Sequence, residues 1–184
     1  FLIHGLFLFF YIRRLAILLP RPNIETYRFD KPEKLAVIIA ARNEDQSISR
    51  LLNALLNQSY PGYTIEIVDD YSTDNTAAIV KEFTDKYNFI HYHHNAFAQG
   101  KKHALRYAIE TVNSSLLLFT DADCVPASDN WISSMVNSLA DKDISLAYGK
   151  YREERGFLNK FIQFETGMIA AQYMAFAVRR RPYM

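Results

Sequence analysis

Cysteine is nearly absent: Cys124 stands alone among 184 residues, so no internal disulfide can brace the fold, which fits a reducing compartment. Excess charge of either sign is missing too, with 21 Lys and Arg against 20 Asp and Glu. Without a basic balance the chain lacks the electrostatic footprint of a nucleic-acid binder. No uninterrupted apolar run reaches the ~20 residues that a bilayer crossing needs. Internal repeats, low-complexity tracts, the G-x-G-x-x-G turn and the Walker lysine motif are all lacking, which removes the usual dinucleotide and P-loop readings. What is present is a 49% hydrophobic composition, enough for a substantial core in one domain with something appended.

The ends differ from the middle. Residues Phe1 to Tyr11 are almost wholly apolar, Arg13-Arg14 interrupt, and Leu15 to Leu19 resume before Pro20-Arg21-Pro22. The chain opens on Phe1 rather than Met, and no small-residue cleavage site follows. The expectation is that residues 1–22 are the cytoplasmic end of a longer membrane helix, with Arg13, Arg14 and Arg21 as its positive-inside flank. A hydrophobic helix packed on the domain is the plainer alternative. At the other end, Phe157, Leu158, Phe161, Ile162, Met168 and Ile169 recur at helical spacing, and Arg179-Arg180-Arg181 precede Pro182. This predicts an amphipathic helix within residues 151–184, ending in a basic cluster suited to anionic headgroups or simply to solvent.

Between the ends the pattern alternates. Leu35 to Ala40, Ile65 to Val68, Phe89 to Tyr92 and Leu116 to Thr120 read as strands. Ile48, Leu51, Leu52, Leu55 and Leu56 mark a first helix; Val80, Phe83 and Tyr87 a second; Ala104, Leu105, Ala108, Ile109 and Val112 a third. The order β-α-β-α-β-α-β over residues 34–150 predicts an α/β fold with a mostly parallel sheet, helices on both faces and ligands beyond the carboxyl ends of the strands.

The unusual polar clusters fall at three of those ends. Strand one runs into Ala41-Arg42-Asn43-Glu44, strand two into Asp69-Asp70-Tyr71-Ser72-Thr73-Asp74, and strand four into Asp121-Ala122-Asp123. Side chains at i and i+2 of a strand share a face, so Asp121 and Asp123 should point into one crevice, where a hard cation with open positions for phosphate relieves their repulsion. Asp70 can accept from a base imide N–H or a ribose hydroxyl, while Asn43 and Glu44 can line a planar ring and cap the first helix. Plainer roles exist: Asp74 and Ser72 are good helix caps, and Asp69 can satisfy turn amides. Gln99-Gly100-Lys101-Lys102 precedes the third helix, so a helix amino end and a lysine can both face anionic oxygen.

These four segments, with Val68 leading the second, Thr76 closing it, His103-Ala104-Leu105 extending the third and Cys124-Val125-Pro126 the fourth, closely resemble the family-two glycosyltransferases of GT-A fold. The resemblance covers Lys34 to Gly149. It implies a Rossmann-like nucleotide-diphospho-sugar transferase fold, a nucleotide-sugar donor (a UDP-sugar favoured), Mg²⁺ or Mn²⁺, and inverting transfer to a saccharide or lipid-linked acceptor in polysaccharide, glycolipid or cell-envelope synthesis at the cytoplasmic face of the inner membrane. By position, Ala41, Asn43, Glu44 and Asp70 contact or frame the base, Lys101 lies near the donor phosphates, Asp121 reaches ribose or the metal, and Asp123 ligates the metal. The family's general base is an acidic residue in a later segment, often in a Glu-Asp pair. No such pair follows Asp123, so the base is expected beyond Met184.

Three other readings stand beside this one. A nucleotidyltransferase making nucleotide sugars shares the sheet and metal chemistry but needs a Gly-rich first loop. A receiver domain needs its acidic pair after the first strand, not the second. A catalytically inactive membrane scaffold of transferase type is permitted by the missing base. His91, His93 and His94 invite zinc but lack a complete ligand set, and read as exposed imidazoles at a strand end. Cys124 reads as a packing residue rather than a nucleophile, and Trp131 as packing on the sheet rather than bordering a sugar.

Overall fold

The computed structural model describes Phe9 and residues 34–96, 99–139 and 142–178, with side chains to 174. The N-terminal membrane segment, apart from Phe9, and the Arg179–Arg181 cluster lie outside the described residues. Among the described residues, no helix is long and apolar enough to cross a membrane.

Four strands form the sheet: β1 (Leu35–Ala41), β2 (Tyr63–Asp69), β3 (Ile90–His94) and β4 (Leu116–Asp121), in the order β3-β2-β1-β4 with every pairing parallel. Three helices join them: α1 (Ile48–Leu56), α2 (Thr76–Lys86) and α3 (Lys101–Thr111). Two more follow, α4 (Trp131–Leu139) and α5 (Phe157–Val178). The expected alternation is present, and the strands run one or two residues further than their apolar runs because parallel pairing continues into Asp69 and Asp121.

The β1 run LAVIIAA is buried on both faces, as a central parallel strand must be. Leu35, Val37 and Ile39 face one core with Ile65 and Ile67 of β2, joined by Ile48, Leu51, Leu52 and Leu55 of α1, Val80 of α2, and Ile132 and Val136 of α4. On the opposite face Ala36, Ile38 and Val68 meet Ala104 and Ala108 of α3. Small alanines there let α3 sit close to the sheet. Ile109, assigned by spacing to that apolar face, is instead 55% exposed.

Helix α4 closes the first face. Gln58 ties it down: its Nε2 donates to Ser128 O at 2.8 Å and its Oε1 accepts from Ile132 N at 3.0 Å. Trp131 packs half-buried against this core, as expected. The unit that holds the sheet closes at Ser145. In the second unit, α5 keeps Asn159, Gln163 and Thr166 on its more covered side, while Phe157, Leu158, Phe161, Phe164 and Ile169 are exposed.

Candidate functional site

The parallel register brings the ends of three strands level: Ala41 is opposite Asp69, and Ala40 is opposite Asp121. Because β2 and β4 flank β1 on opposite sides, the chain reverses direction across the sheet at β1, and a crevice opens beyond its carboxyl end.

The loops after β1 and β2 are tied to one another. Asn43 takes φ 55°, a backbone that asparagine tolerates. Its N–H donates to Ser72 Oγ at 3.0 Å, and its Oδ1 accepts from Thr73 N at 2.8 Å. Glu44 N donates to Thr76 Oγ1 at 2.7 Å, and Asp45 N to Asp74 Oδ2 at 3.1 Å. The Glu44 carbonyl accepts from Ser47 N and Ile48 N and its carboxylate accepts from the Ser47 hydroxyl, but no side chain takes an amide of α1, whose N-cap is Ser47, so the expected capping by Glu44 is not made. The N-cap of α2 is Asn75 rather than Asp74 or Ser72, but Asp74 just before it still holds the first helical amide, with Oδ1 accepting from Thr76 N at 2.9 Å. Slight desolvation pushes its carboxyl up, but hydrogen bonds from Thr76 and Asp45 outweigh this and hold it below the usual carboxylate range. Asp69 serves the turn, with Oδ1 accepting from Ser72 N and Oδ2 from the Tyr92 hydroxyl at 2.6 Å. Burial and that carboxylate push the Tyr92 phenol well above its ordinary value.

Asp70 sits deeper than an open ligand contact. Only 3% exposed, its Oδ1 accepts from Asn95 Nδ2 at 2.8 Å, and the Gly100 N–H is shared between Oδ1 and Oδ2 at 2.9 Å each. Three consecutive residues thus reach three strand ends. The Gln99 amide oxygen, turned toward Arg42, accepts from Nη1 at 3.2 Å and Nη2 at 2.7 Å. Gly100 is held by Asp70, and Lys101 Nζ lies 2.5 Å from Asp121 Oδ1. Asn95 is the residue that sequence reasoning passed over, while Arg42 and Gln99 stood inside the loops it singled out without a role of their own. An Asn just past a strand end and a Gln just before Gly-Lys were the only local signals for them.

One expected geometry is corrected. Strand β4 ends at Asp121, and Ala122-Asp123 turn, with Cys124 N donating to Asp121 O at 3.1 Å. The turn interrupts the strand geometry that would have set the two carboxylates on one face. Ala122 is buried in the core and anchors the turn, which leaves Asp121 and Asp123 exposed. Cys124 is exposed rather than packed, and desolvation followed by the Asp123 and Asp121 charges pushes its thiol up, which disfavours a nucleophile. Among the described residues, no group of three or more His, Cys, Asp or Glu gathers as a metal cage. Two exposed carboxylates nevertheless suit a hard divalent ion that takes its remaining ligands from phosphate and water.

Among the strand-end histidines, one departs from the expectation of exposed imidazoles. His91 and His94 are exposed, but His93 is half-buried with Nε2 2.7 Å from Glu66 Oε2. Desolvation raises the Glu66 carboxyl, but hydrogen bonds from His93 and Thr64 and the nearby His91 outweigh it and hold it below its ordinary value.

Comparison with known proteins agrees with this arrangement. The family profile described as Glycosyl transferase family 2 matches residues 36–180. The "Probable glycosyltransferase YdaM" of Bacillus subtilis is 34% identical over 164 residues, which is 83% of this chain and 38% of that protein. The Escherichia coli "UDP-Glc:alpha-D-GlcNAc-diphosphoundecaprenol beta-1,3-glucosyltransferase WfgD" is 27% identical over 134 residues, 70% of this chain and 50% of that one. Among solved structures, the mannosyltransferase PcManGT from Pyrobaculum calidifontis, in complex with GDP-Man and Mn2+, aligns with a TM-score of 0.62 and 26% identity over 73% of this chain and 40% of that one. The chain therefore spans half or less of the length of these relatives. With the strand-end loops in family order on a matching parallel sheet, this chain belongs to glycosyl transferase family 2.

Proposed function

We propose that the chain forms the donor-binding half of a metal-assisted glycosyltransferase. It takes a nucleoside-diphosphate sugar, a UDP-sugar by preference, and serves transfer to a hydroxyl of a saccharide or lipid-linked acceptor in cell-envelope synthesis. The observation that carries this reading is the apposition of Lys101 and Asp121 at 2.5 Å, with side chains 60% and 55% exposed, at the amino end of α3. A cation and a carboxylate paired in the open can exchange partners: the ammonium turns to phosphate and the carboxylate to a divalent ion. The relatives named for UDP-glucose and for GDP-mannose with Mn2+ support a nucleotide-sugar donor and Mg²⁺ or Mn²⁺.

Asp121 and Asp123 would hold the ion, which when bound supplies positive charge to the departing diphosphate. Lys101 and the α3 amino end add to that charge at the phosphate oxygens. Asp70 retains acceptor capacity for a base imide, with Asn43, Glu44 and Ala41 framing the ring. In the inverting reaction the acceptor oxygen bonds to the anomeric carbon as the bond from that carbon to phosphate oxygen breaks. The hydroxyl proton passes to a carboxylate that the Lys34–Asp123 segment does not supply.

Calorimetry on this chain should show UDP binding in Mg²⁺ or Mn²⁺ that is lost on chelation and in Asp123→Ala. The same preparation should show no acceptor transfer, since a general base contributes about 10²–10⁴-fold to rate. Equal binding after chelation would remove the metal role. Full transfer activity would return Glu153, Glu154 and Glu165 to consideration as the base.

A further inference from the structure

Tyr71 carries a backbone that its side chain disfavours. It takes φ 62°, in the left-handed region where a Cβ crowds the following carbonyl and which glycine or asparagine enters with little strain. Asn43 is the other non-glycine residue at positive φ among the described residues, and asparagine suits it. Tyrosine does not. The conformation is imposed from both sides: Asp70 N donates to Ala41 O at 2.8 Å, Ser72 N to Asp69 Oδ1 at 2.9 Å, and Thr73 N to Asn43 Oδ1 at 2.8 Å. A glycine would satisfy all three bonds with less strain. A bulky residue held against its preference at a ligand-facing edge points to function.

The ring's surroundings indicate which function. Tyr71 is 38% exposed, and its ring meets that of His94 edge-on, with centroids 5.0 Å apart at 71°. His94 ends β3 in register with Asp69 of β2, so the two rings stand together over the β2 and β3 ends. The strand order supplies a map. Lys101 and Asp121 mark the phosphate end at β4, Asp70 lies at β2, and Tyr71 with His94 stands beyond Asp70 on the side away from the phosphates.

We propose that Tyr71, braced edge-on by His94, is the surface on which the donor's nucleobase stacks; this rests on the nucleotide-sugar reading above. A base has a π-face whatever its hydrogen-bonding edge, and an aromatic ring beside a buried carboxylate offers stacking next to imide recognition. Strain at Tyr71 and base affinity are then two consequences of one side chain, and substitution should move them in opposite directions.

The test compares wild type with Tyr71→Phe, Tyr71→Asn and Tyr71→Gly, measuring UDP and inorganic pyrophosphate binding in Mn²⁺ together with thermal melting. The Phe variant keeps the ring and should bind UDP as wild type does. The Asn and Gly variants should bind UDP about ten-fold more weakly, hold pyrophosphate unchanged, and melt about 2–4 °C higher. Undiminished UDP binding in both ringless variants, or equal weakening of UDP and pyrophosphate, would overturn the stacking role while leaving the donor reading intact. Failure of the wild-type protein to bind UDP, GDP or pyrophosphate would overturn the donor reading and the stacking role with it.

Discussion

Glu66 shows how much a single buried charge depends on its neighbours. It lies on β2, 6% exposed, where the strand otherwise presents Val68 to α3. Thr64 Oγ1 donates to its Oε1 at 2.7 Å, and His93 occupies Oε2. Removing the carboxylate takes the partner from both Thr64 and the half-buried His93, so Glu66→Ala should cost about 1–3 kcal/mol. The carboxyl is held below its unfolded value, so the ionised form is favoured by folding. Its contribution is therefore complete above about pH 4.3, the unfolded value, and is lost as pH falls through the folded value. Denaturant titrations at pH 7 and at pH 3.5 should show wild type and Glu66→Gln converging at the acid end. A gap that stayed constant or widened in acid would mean that the pair does not favour the ionised carboxylate.

At the scale of the element, α3 depends on the residue before it. Gly100 caps the helix at φ 132° and ψ 144°, a region essentially reserved for glycine. An added Cβ would meet only His103 Cδ2 at 3.8 Å, an ordinary contact, so the penalty of substitution lies in the backbone rather than in space. Gly100→Ala should destabilise the protein by about 1–3 kcal/mol. It should also weaken pyrophosphate binding, because the Gly100 N–H that fixes the segment on Asp70 sets where Lys101 stands. A stability loss with phosphate affinity untouched would show that Lys101 finds its place without this anchor. The other ties around the crevice are hydrogen bonds between loops. The sheet and its three-helix cover on one face are knit by many buried side chains.

For the whole molecule, the ends matter as much as the sheet. Phe157, Leu158, Phe161 and Phe164 are exposed at 85%, 69%, 45% and 57%, an unusual aromatic density on the outer side of α5. Three arginines follow α5 in the sequence, and the chain opens on an apolar run. We propose that this unit meets an anionic membrane surface through those apolar side chains and the arginines that follow them. The protein should co-sediment with vesicles containing phosphatidylglycerol and less well with purely zwitterionic ones. Phe161→Glu combined with Phe164→Glu should release it without changing UDP binding. Equal sedimentation of the double variant would place the attachment elsewhere in the chain.

The sequence by itself determined the alternation of strands and helices, because apolar runs of strand length and apolar faces at helical spacing are local signals. Three acidic or amide-bearing loops at strand ends were equally legible: a polar cluster directly after a buried run has nowhere to go but the sheet's edge. That Asp74 would hold an amide at the start of α2 followed from residue type, although the N-cap itself is Asn75. The partners were not legible. That Asp70 is buried against Asn95 and Gly100, that Arg42 faces Gln99, and that His93 meets Glu66 are contacts between residues separated by 25 to 57 positions. Only the parallel register and the packing of α3 bring them within hydrogen-bonding distance. The turn after Asp121 was likewise decided by tertiary structure, because Ala122 gains a place in the core by ending the strand there. Hydrogen bonds act over about 3 Å, so their geometry belongs to the folded chain, whereas hydrophobic periodicity is written along it.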